Sequence, residues 1–265
     1  MHPLRHNTVR TAAAAAGLAA AAALSLAAPA GAASTTTTTA AGNAAATAQY
    51  NAALKAVGTN GVHFVSVAKQ NGAELDVSGD AGTTSGAQTL VVKNKKATER
   101  MTALVVGSTG YVKGNESALQ NVIGLTKAES TKYAGKWLSF PTSNQSLGEL
   151  VGGLLSSQVA KELEIGGPYT FAKDATVAGQ KATAVEGAVA DQGGGKVPVV
   201  LYIPASGTPL PIQEVTNASK AGGSSAIHGV VTFSNWGEDK QQTAPTKSVS
   251  LLKLVPASSS STTSG

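Results

Sequence analysis

The stretch VHFVSVAKQNGAELDVSG, residues 62–79, decides the fold. Its first half, Val62 to Lys69, is rich in apolar and β-branched residues and predicts a strand. Asn71-Gly72 has the composition of a two-residue hairpin turn. From Ala73 to Gly79 apolar and polar residues alternate, with Leu75 and Val77 on one face, which is typical of a half-buried strand. The folded part of the chain is therefore expected to contain an antiparallel hairpin near its start.

Further strands are predicted on both sides of a helical middle. Short polar turns join most of them, which favours an antiparallel meander over a parallel sheet. The overall pattern is that of an α+β protein. The predicted strands are Ala87–Lys93, Ala97–Val106, Thr109–Lys113, Trp137–Phe140, Tyr169–Ala172, Thr176–Val177, Lys181–Ala190, Val197–Ile203, Pro211–Asn217, Ala226–Trp236 and an edge at Val249–Leu254.

Helices are predicted before the hairpin and in the middle of the chain. A short helix is expected from Ala45 to Val57, and two more from Glu116 to Ile123 and from Thr126 to Tyr133. Thr126 and Glu129 have the spacing of a capping box. The strongest helical pattern starts at Ser143 or Asn144 and continues to Leu163. Its apolar residues lie at spacings of three and four, as on one face of a helix: Leu147, Leu150, Val151, Leu154, Leu155, Val159 and Leu163.

The two ends of the chain have compositions that differ from the rest. Arg5 and Arg10, an apolar run and a small-residue site ending at Ala32 predict a secretory signal peptide over residues 1–32. Residues 33–47 are rich in Ala and Thr and predict a flexible spacer, while residues 256–265 predict a disordered Ser/Thr tail. One folded domain is expected over residues 48–255. The chain contains no cysteine, so we expect an exported protein of the cell envelope with no lipid anchor and no transmembrane segment after cleavage.

The reactive inventory of the chain argues against catalysis. The formal net charge is +5, but the basic residues are scattered, which disfavours nucleic-acid binding. His63 and His228 each lie alone in a predicted strand, without the carboxylates or cysteines that a metal site would need. Residues 193–196, Gly-Gly-Gly-Lys, lack the Ser or Thr that follows the lysine of a phosphate-binding loop. We therefore expect no enzyme activity, no metal and no cofactor.

The apolar residues allow two interpretations. In the first, small side chains let the helices lie close to the sheet and the core is solid. In the second, the sheet bends around the helices and leaves a cavity that a lipid fills. Composition by itself favours the first interpretation.

A family resemblance favours the second interpretation. Gly110-Tyr111-Val112-Lys113, the two short helices and then Tyr133-Ala134-Gly135-Lys136-Trp137-Leu138 resemble the actinobacterial envelope lipoproteins of the LppX/LprAFG kind. These are similar in fold to the lipoprotein carriers LolA and LolB. The resemblance implies an open half-barrel, a curved antiparallel sheet with helices packed on its concave face. It also implies a non-catalytic carrier that binds an acylated lipid or glycolipid between sheet and helices, with a transport partner that is unknown.

The resemblance also implies which side chains line the cavity. Those expected to face it are Phe64, Leu75, Val77, Met101, Leu147, Leu150, Val151, Leu154, Leu155, Val200, Tyr202 and Val231. The chain departs from the family in lacking the lipid-bearing cysteine after the signal peptide. The alternative hypothesis is a secreted interaction or sensor module of the same fold with a filled core.

Overall fold

The computed structural model describes residues 37–254, except residues 59, 71, 96, 191–194 and 219–226. The predicted signal peptide, the predicted Ser/Thr tail, Asn71 of the first hairpin turn and most of the loop after Ala190 lie outside the described residues.

The described chain alternates between runs of strands and short helices. The strands are β1 Val62–Gln70, β2 Ala73–Ala81, β3 Ser85–Lys93, β4 Thr98–Val106, β5 Thr109–Gly114, β6 Leu138–Pro141, β7 Gly166–Phe171, β8 Ala175–Val177, β9 Gln180–Ala190, β10 Lys196–Pro204, β11 Gln213–Ala218, β12 Ile227–Ser234 and β13 Val249–Ser250. The helices are α1 Thr37–Val57, α2 Glu116–Ala118, α3 Lys127–Tyr133, α4 Gln145–Gly148 and α5 Ser156–Glu162. A π turn covers Leu119–Ile123, and 3₁₀ turns cover Glu149–Val151 and Leu251–Lys253.

All of these strands belong to one sheet that does not close. Their order is β13-β6-β5-β4-β3-β2-β1-β12-β11-β10-β9-β7, and β8 also pairs with β9. Every pairing is antiparallel except that of β13 with β6. The predicted fold class, α+β with a curved antiparallel sheet, is confirmed. The first five strands form a meander, and β12 then returns to pair with β1.

Helix α3 starts at the cap that the sequence predicts. The Thr126 side chain accepts from the Glu129 amide while the Glu129 carboxylate accepts from the Thr126 amide, so the predicted capping box of α3 is confirmed. Helix α1 begins at Thr37 rather than Ala45, so much of the predicted spacer is helical. Ala46, inside that segment, is fully buried in the core, and burial of this kind is what stabilises a helix beyond its intrinsic propensity.

The single long helix predicted from Ser143 or Asn144 to Leu163 is wrong. The chain forms α4 and a 3₁₀ turn, leaves helical geometry at Gly152, and resumes as α5 at Ser156. Gly153 has a φ of +73°, a conformation that glycine adopts without strain. The extended segment instead bonds to the sheet side of the molecule: the Gly82 amide donates to the Leu154 carbonyl, and the Ser156 amide donates to the Gly82 carbonyl. No helix in the described part of the chain is long and apolar enough to cross a membrane.

Candidate functional site

The inner face of the sheet is the face whose side chains are buried against the helices and turns. Strand register places Phe64 of β1 between Gly79 of β2 and Phe233 of β12. Side chains directly opposite each other on neighbouring strands share a face. The register therefore defines the inner face of eight strands that are neighbours in the sheet, in the order β4-β3-β2-β1-β12-β11-β10-β9. The buried apolar side chains on it are Phe64, Leu75, Val77, Leu90, Val92, Met101, Ala103, Val185, Val199, Leu201 and Phe233.

The segment from α4 to α5 covers part of this face. The Gln88 side chain, on the inner face of β3, donates from Nε2 to the Leu150 carbonyl at 3.2 Å. A Cβ added to Gly86 of the same strand would lie 2.0 Å from the Leu154 carbonyl oxygen, so glycine permits this close approach. Leu154 is fully buried. The central part of the chain therefore closes over the strands through backbone contacts as well as apolar packing.

Tyr50 of α1 fastens the end of α5 to the rest of the molecule. Its hydroxyl donates to the Leu163 carbonyl at 3.2 Å and accepts from the Ile165 amide at 2.8 Å. Its ring stacks on that of Tyr169, with centroids 4.4 Å apart. Burial is the main cause that raises the pKa of Tyr50 well above its ordinary value, so the phenol stays protonated.

Ten of the twelve predicted lining residues lie at this interface. Seven are buried: Phe64, Leu75, Val77, Met101, Leu147, Val151 and Leu154. Leu150, Leu155 and Val231 are partly buried and pack against the same core. That these residues line a cavity and contact a ligand stays a prediction.

The inward orientation predicted for Val200 and Tyr202 is wrong. In β10 the buried side chains are Val197, Val199, Leu201 and Ile203, and the residues between them are on the opposite, outer face. Register agrees, since Tyr202 pairs with Gln213, which pairs with Thr232 beside the exposed Val65. The predicted strand, Val197 to Ile203, is an almost unbroken apolar run, so alternation could not indicate which of its faces is buried.

Several polar side chains also reach the interior, and sequence reasoning missed them; the largest are those of Gln88, Glu99, Glu162 and Glu214. Gln88 Oε1, Glu99 Oε2 and Glu162 Oε2 are buried without a hydrogen-bond partner among the described residues. Glu99 receives a bond at its other oxygen from Asn121 Nδ2 at 2.8 Å. Glu214 is 3% exposed and lies on the inner face of β11, between Leu201 and Val231. Buried acceptors without partners are uncommon in native proteins and indicate a functional or strained place.

Burial raises the pKa of two interior carboxyls, those of Glu162 at the end of α5 and Glu214 of β11. Burial, and to a smaller extent the Glu214 carboxyl, raises the pKa of Glu162 to about 8. Burial also raises the pKa of Glu214 to about 7. Charged carboxylates are unfavourable in an apolar interior, so both groups hold their protons at a higher pH than free side chains do. Glu162 lies three residues after Val159, on the predicted apolar face of the helix. This position was the feature of the sequence from which its burial could have been predicted.

The two described histidines, His63 and His228, lie on the outer face of the sheet. His63 Nδ1 lies 2.8 Å from Asp80 Oδ1, and Lys240 Nζ donates to the same oxygen at 2.9 Å. Ser234 is directly opposite His63 in the register, yet no hydrogen bond joins them in the described structure. His228 contacts Asn217 instead. Among the described residues no group of three or more His, Cys, Asp or Glu could hold a metal ion.

A cleft of about 170 Å³ lies at the far edge of the sheet, away from the inner face. It is lined by residues of β7, β9 and β10, including Gly166, Pro168, Glu186 and Lys196. None of the twelve predicted lining residues contributes to it.

Comparison with known proteins identifies the fold. No family model matches the sequence, and no curated protein matches it. Among solved structures, LprF from Mycobacterium bovis is 16% identical with a TM-score of 0.51, over 76% of this chain and 97% of LprF. Lipoprotein LppX from Mycobacterium tuberculosis is 17% identical with a TM-score of 0.44, over 75% of this chain and 98% of LppX. A LolA-superfamily protein from Nitrosomonas europaea is 10% identical with a TM-score of 0.25, over 76% of this chain and 94% of its own. The similarity to LprF confirms the predicted resemblance at the level of the fold.

Proposed function

We propose that this chain is an exported, non-catalytic carrier that holds the acyl chains of a lipid or glycolipid between the inner face of the sheet and the helices. The LprF-like fold supports the proposal, because it supplies a sheet that is open at both ends and covered on one face. The proposed carrier has no cysteine-linked lipid, because the chain contains no cysteine.

The observation that carries the proposal is the extent of buried apolar side chains over the inner face, where Gln88, Glu99 and Glu214 are polar exceptions. Val112, Met101, Leu90 and Val77 are buried on successive strands from β5 to β2, and Phe64 continues the surface on β1. On the other side of β1, Phe233, Leu201 and Val185 extend it to β9. Apolar surface of this extent, meeting helices and turns rather than a second sheet, suits hydrocarbon chains lying along it.

Energetics favour a ligand with more than one acyl chain. Burying hydrocarbon contributes about 0.8 kcal/mol per methylene, so one sixteen-carbon chain contributes roughly 12 kcal/mol gross. Association costs of about 4–15 kcal/mol offset much of this. One chain would therefore bind marginally, while two or three would bind well.

The test measures the lipid content of the purified protein and of two variants. Both variants introduce a tryptophan into the same strand, one on its inner face and one on its outer face. Organic extraction followed by mass spectrometry should find acylated lipid with the wild-type protein. Val231 is on the inner face and Val230 is on the outer face of the same strand. Val231→Trp should reduce bound lipid several-fold by filling the interior, while Val230→Trp should retain the wild-type amount.

Two results would contradict the carrier proposal. One is wild-type protein without extractable lipid that also fails to take up added diacyl or triacyl lipid. The other is equal retention by the two tryptophan variants at wild-type thermal stability. Either result would favour the interaction module with a filled core.

A further inference from the structure

Lysine side chains and aromatic rings meet at one corner of the sheet, where β5 ends and β6 begins. The Lys113 ammonium lies 4.8 Å from the centroid of the Trp137 ring. The ammonium groups of Lys132 and Lys136 lie 5.2 and 5.7 Å from the centroid of the Tyr133 ring. These are the three cation–π contacts in the described part of the chain, and we call their five residues the basic–aromatic corner.

Strand pairing brings this corner together from separate segments of the sequence. Lys113 and Trp137 each lie one residue beyond the last register pair of β5 with β6. Register from Lys113 across β4, β3 and β2 leads to the exposed Val65 of β1, so Lys113 is on the outer face. Lys247 precedes β13 by two residues, just as Lys136 precedes the parallel strand β6. A fourth lysine is therefore at the same end of this sheet edge.

The charges of these four lysines are not neutralised by ion pairs. No salt bridge holds any of them within the described part of the chain, whereas Lys93 of β3 binds two carboxylates. Glu129 is three residues before Lys132 on α3, but its carboxylate accepts from the amide and the hydroxyl of Thr126. Lys132 and Lys136 are exposed, and both rings of the corner are partly exposed. The corner therefore presents positive charge and aromatic surface to solvent.

We propose that the basic–aromatic corner docks on a membrane surface that is rich in anionic lipid headgroups. A lysine close to such a surface strengthens binding about fivefold. Tyrosine and tryptophan rings prefer the level of the headgroups, because one part of each ring is apolar and the other is polar. Lysines that lie over these rings keep their ammonium groups beside the phosphates while the rings contact the apolar boundary.

The docking surface is separate from the proposed lipid-binding interior. It uses an outer corner of the sheet, and the interior need not hold a lipid for the corner to bind a membrane. The attraction is between exposed charges, so salt should weaken it: the screening length falls from about 10 Å at 0.1 M salt to about 3 Å at 1 M.

Flotation with lipid vesicles tests the docking surface in the wild-type protein. Vesicles of phosphatidylglycerol and phosphatidylcholine in equal parts should carry the protein at about 0.1 M salt and release it at about 1 M. Vesicles of phosphatidylcholine alone should carry little. Trp236→Phe leaves Trp137 as the one tryptophan of the chain. The fluorescence emission of this variant should shift to shorter wavelength with the anionic vesicles.

Two double variants with the same change in net charge test the place of binding. Lys132→Glu with Lys136→Glu should weaken binding to anionic vesicles at least about tenfold, because two attractive charges become repulsive. Lys173 and Lys181 are exposed lysines beside β8 and β9, near the opposite edge of the sheet. Lys173→Glu with Lys181→Glu should retain most of the binding.

The docking surface would be overturned if the wild-type protein did not bind anionic vesicles, or bound zwitterionic ones equally well. Equal losses in the two double variants would overturn it too, since net charge rather than the corner would then decide binding. Tighter binding to soluble polyglutamate than to vesicles, with unshifted Trp137 emission, would contradict it and favour an acidic protein partner. Val231→Trp should bind anionic vesicles as the wild-type protein does, so this proposal and the carrier proposal can fail separately.

Discussion

The inner and outer faces of the sheet are built from similar residues yet differ in what those residues contact. On β1, Phe64 is 1% exposed between Gly79 and Phe233, whereas its neighbour Val65 is 42% exposed. On β10, Val199 is buried and Val200 is on the outside. Outer-face valines even pair across strands, as Val67, Val230, Val215 and Val200 do. Apolar character therefore indicates a strand, but register decides which face is covered.

The largest expected difference between the faces is at β1. Phe64→Ala should lower the free energy of unfolding by about 3–5 kcal/mol, because it removes a buried ring and leaves a cavity. Val65→Ala should change it by less than about 1 kcal/mol, since that side chain is substantially exposed. Urea unfolding of both variants measures the difference. Equal losses would show that the two faces are not distinguished by burial.

A smaller effect is expected from two glycines on the inner face. A Cβ at Gly79 would lie 2.5 Å from the Ala87 carbonyl oxygen and 2.8 Å from Cζ of Phe64. Gly79→Ala should therefore destabilise the protein by about 1–3 kcal/mol through overpacking. At Gly229 the nearest atoms are 3.8 Å away, an ordinary contact, so Gly229→Ala should be nearly neutral. Thermal unfolding compares them, and a tolerated Gly79→Ala would contradict the packing at the centre of the inner face.

An effect of similar size separates the faces of β10 by chemistry at nearly constant volume. Val199→Thr places a hydroxyl in the buried interior and should cost about 1–3 kcal/mol. Val200→Thr places it on the outer face, where it should cost less than about 0.5 kcal/mol. Chemical denaturation resolves this difference. The reverse order would restore the inward orientation predicted for Val200 from the sequence.

Sequence reasoning succeeded where polar residues mark the exposed face. In β2 the residues Glu74, Asp76 and Ser78 alternate with Leu75 and Val77, so strand and orientation were both predictable. Because β10 lacks that alternation, the strand was predictable and its orientation was not. The resemblance, which supplied the order of the elements, located four of the buried inner-face residues, Phe64, Leu75, Val77 and Met101, and missed the other seven.

The remaining errors depend on contacts between distant parts of the chain. The apolar stripe from Leu147 to Leu163 fits a helix, and only the bonds from Gly82 to residues 154 and 156 explain why the chain is extended there. Glu214 shows the same limit: it is on the inner face of a strand whose one valine, Val215, is on the outer face. Residue type predicted the opposite, because carboxylates are usually exposed.

The pairing of β1 with β12 has a consequence for the order in which the molecule assembles. β1 to β5 can pair by short turns as soon as they are available, but the partner for the other side of β1 is found some 160 residues later, at Ile227–Ser234. Until that segment arrives, β1 is an open edge with unpaired backbone donors and acceptors, a site where intermolecular association starts. Contacts of such long sequence separation also form slowly. A chain that is exported before folding would therefore need protection at this edge until β12 has been delivered.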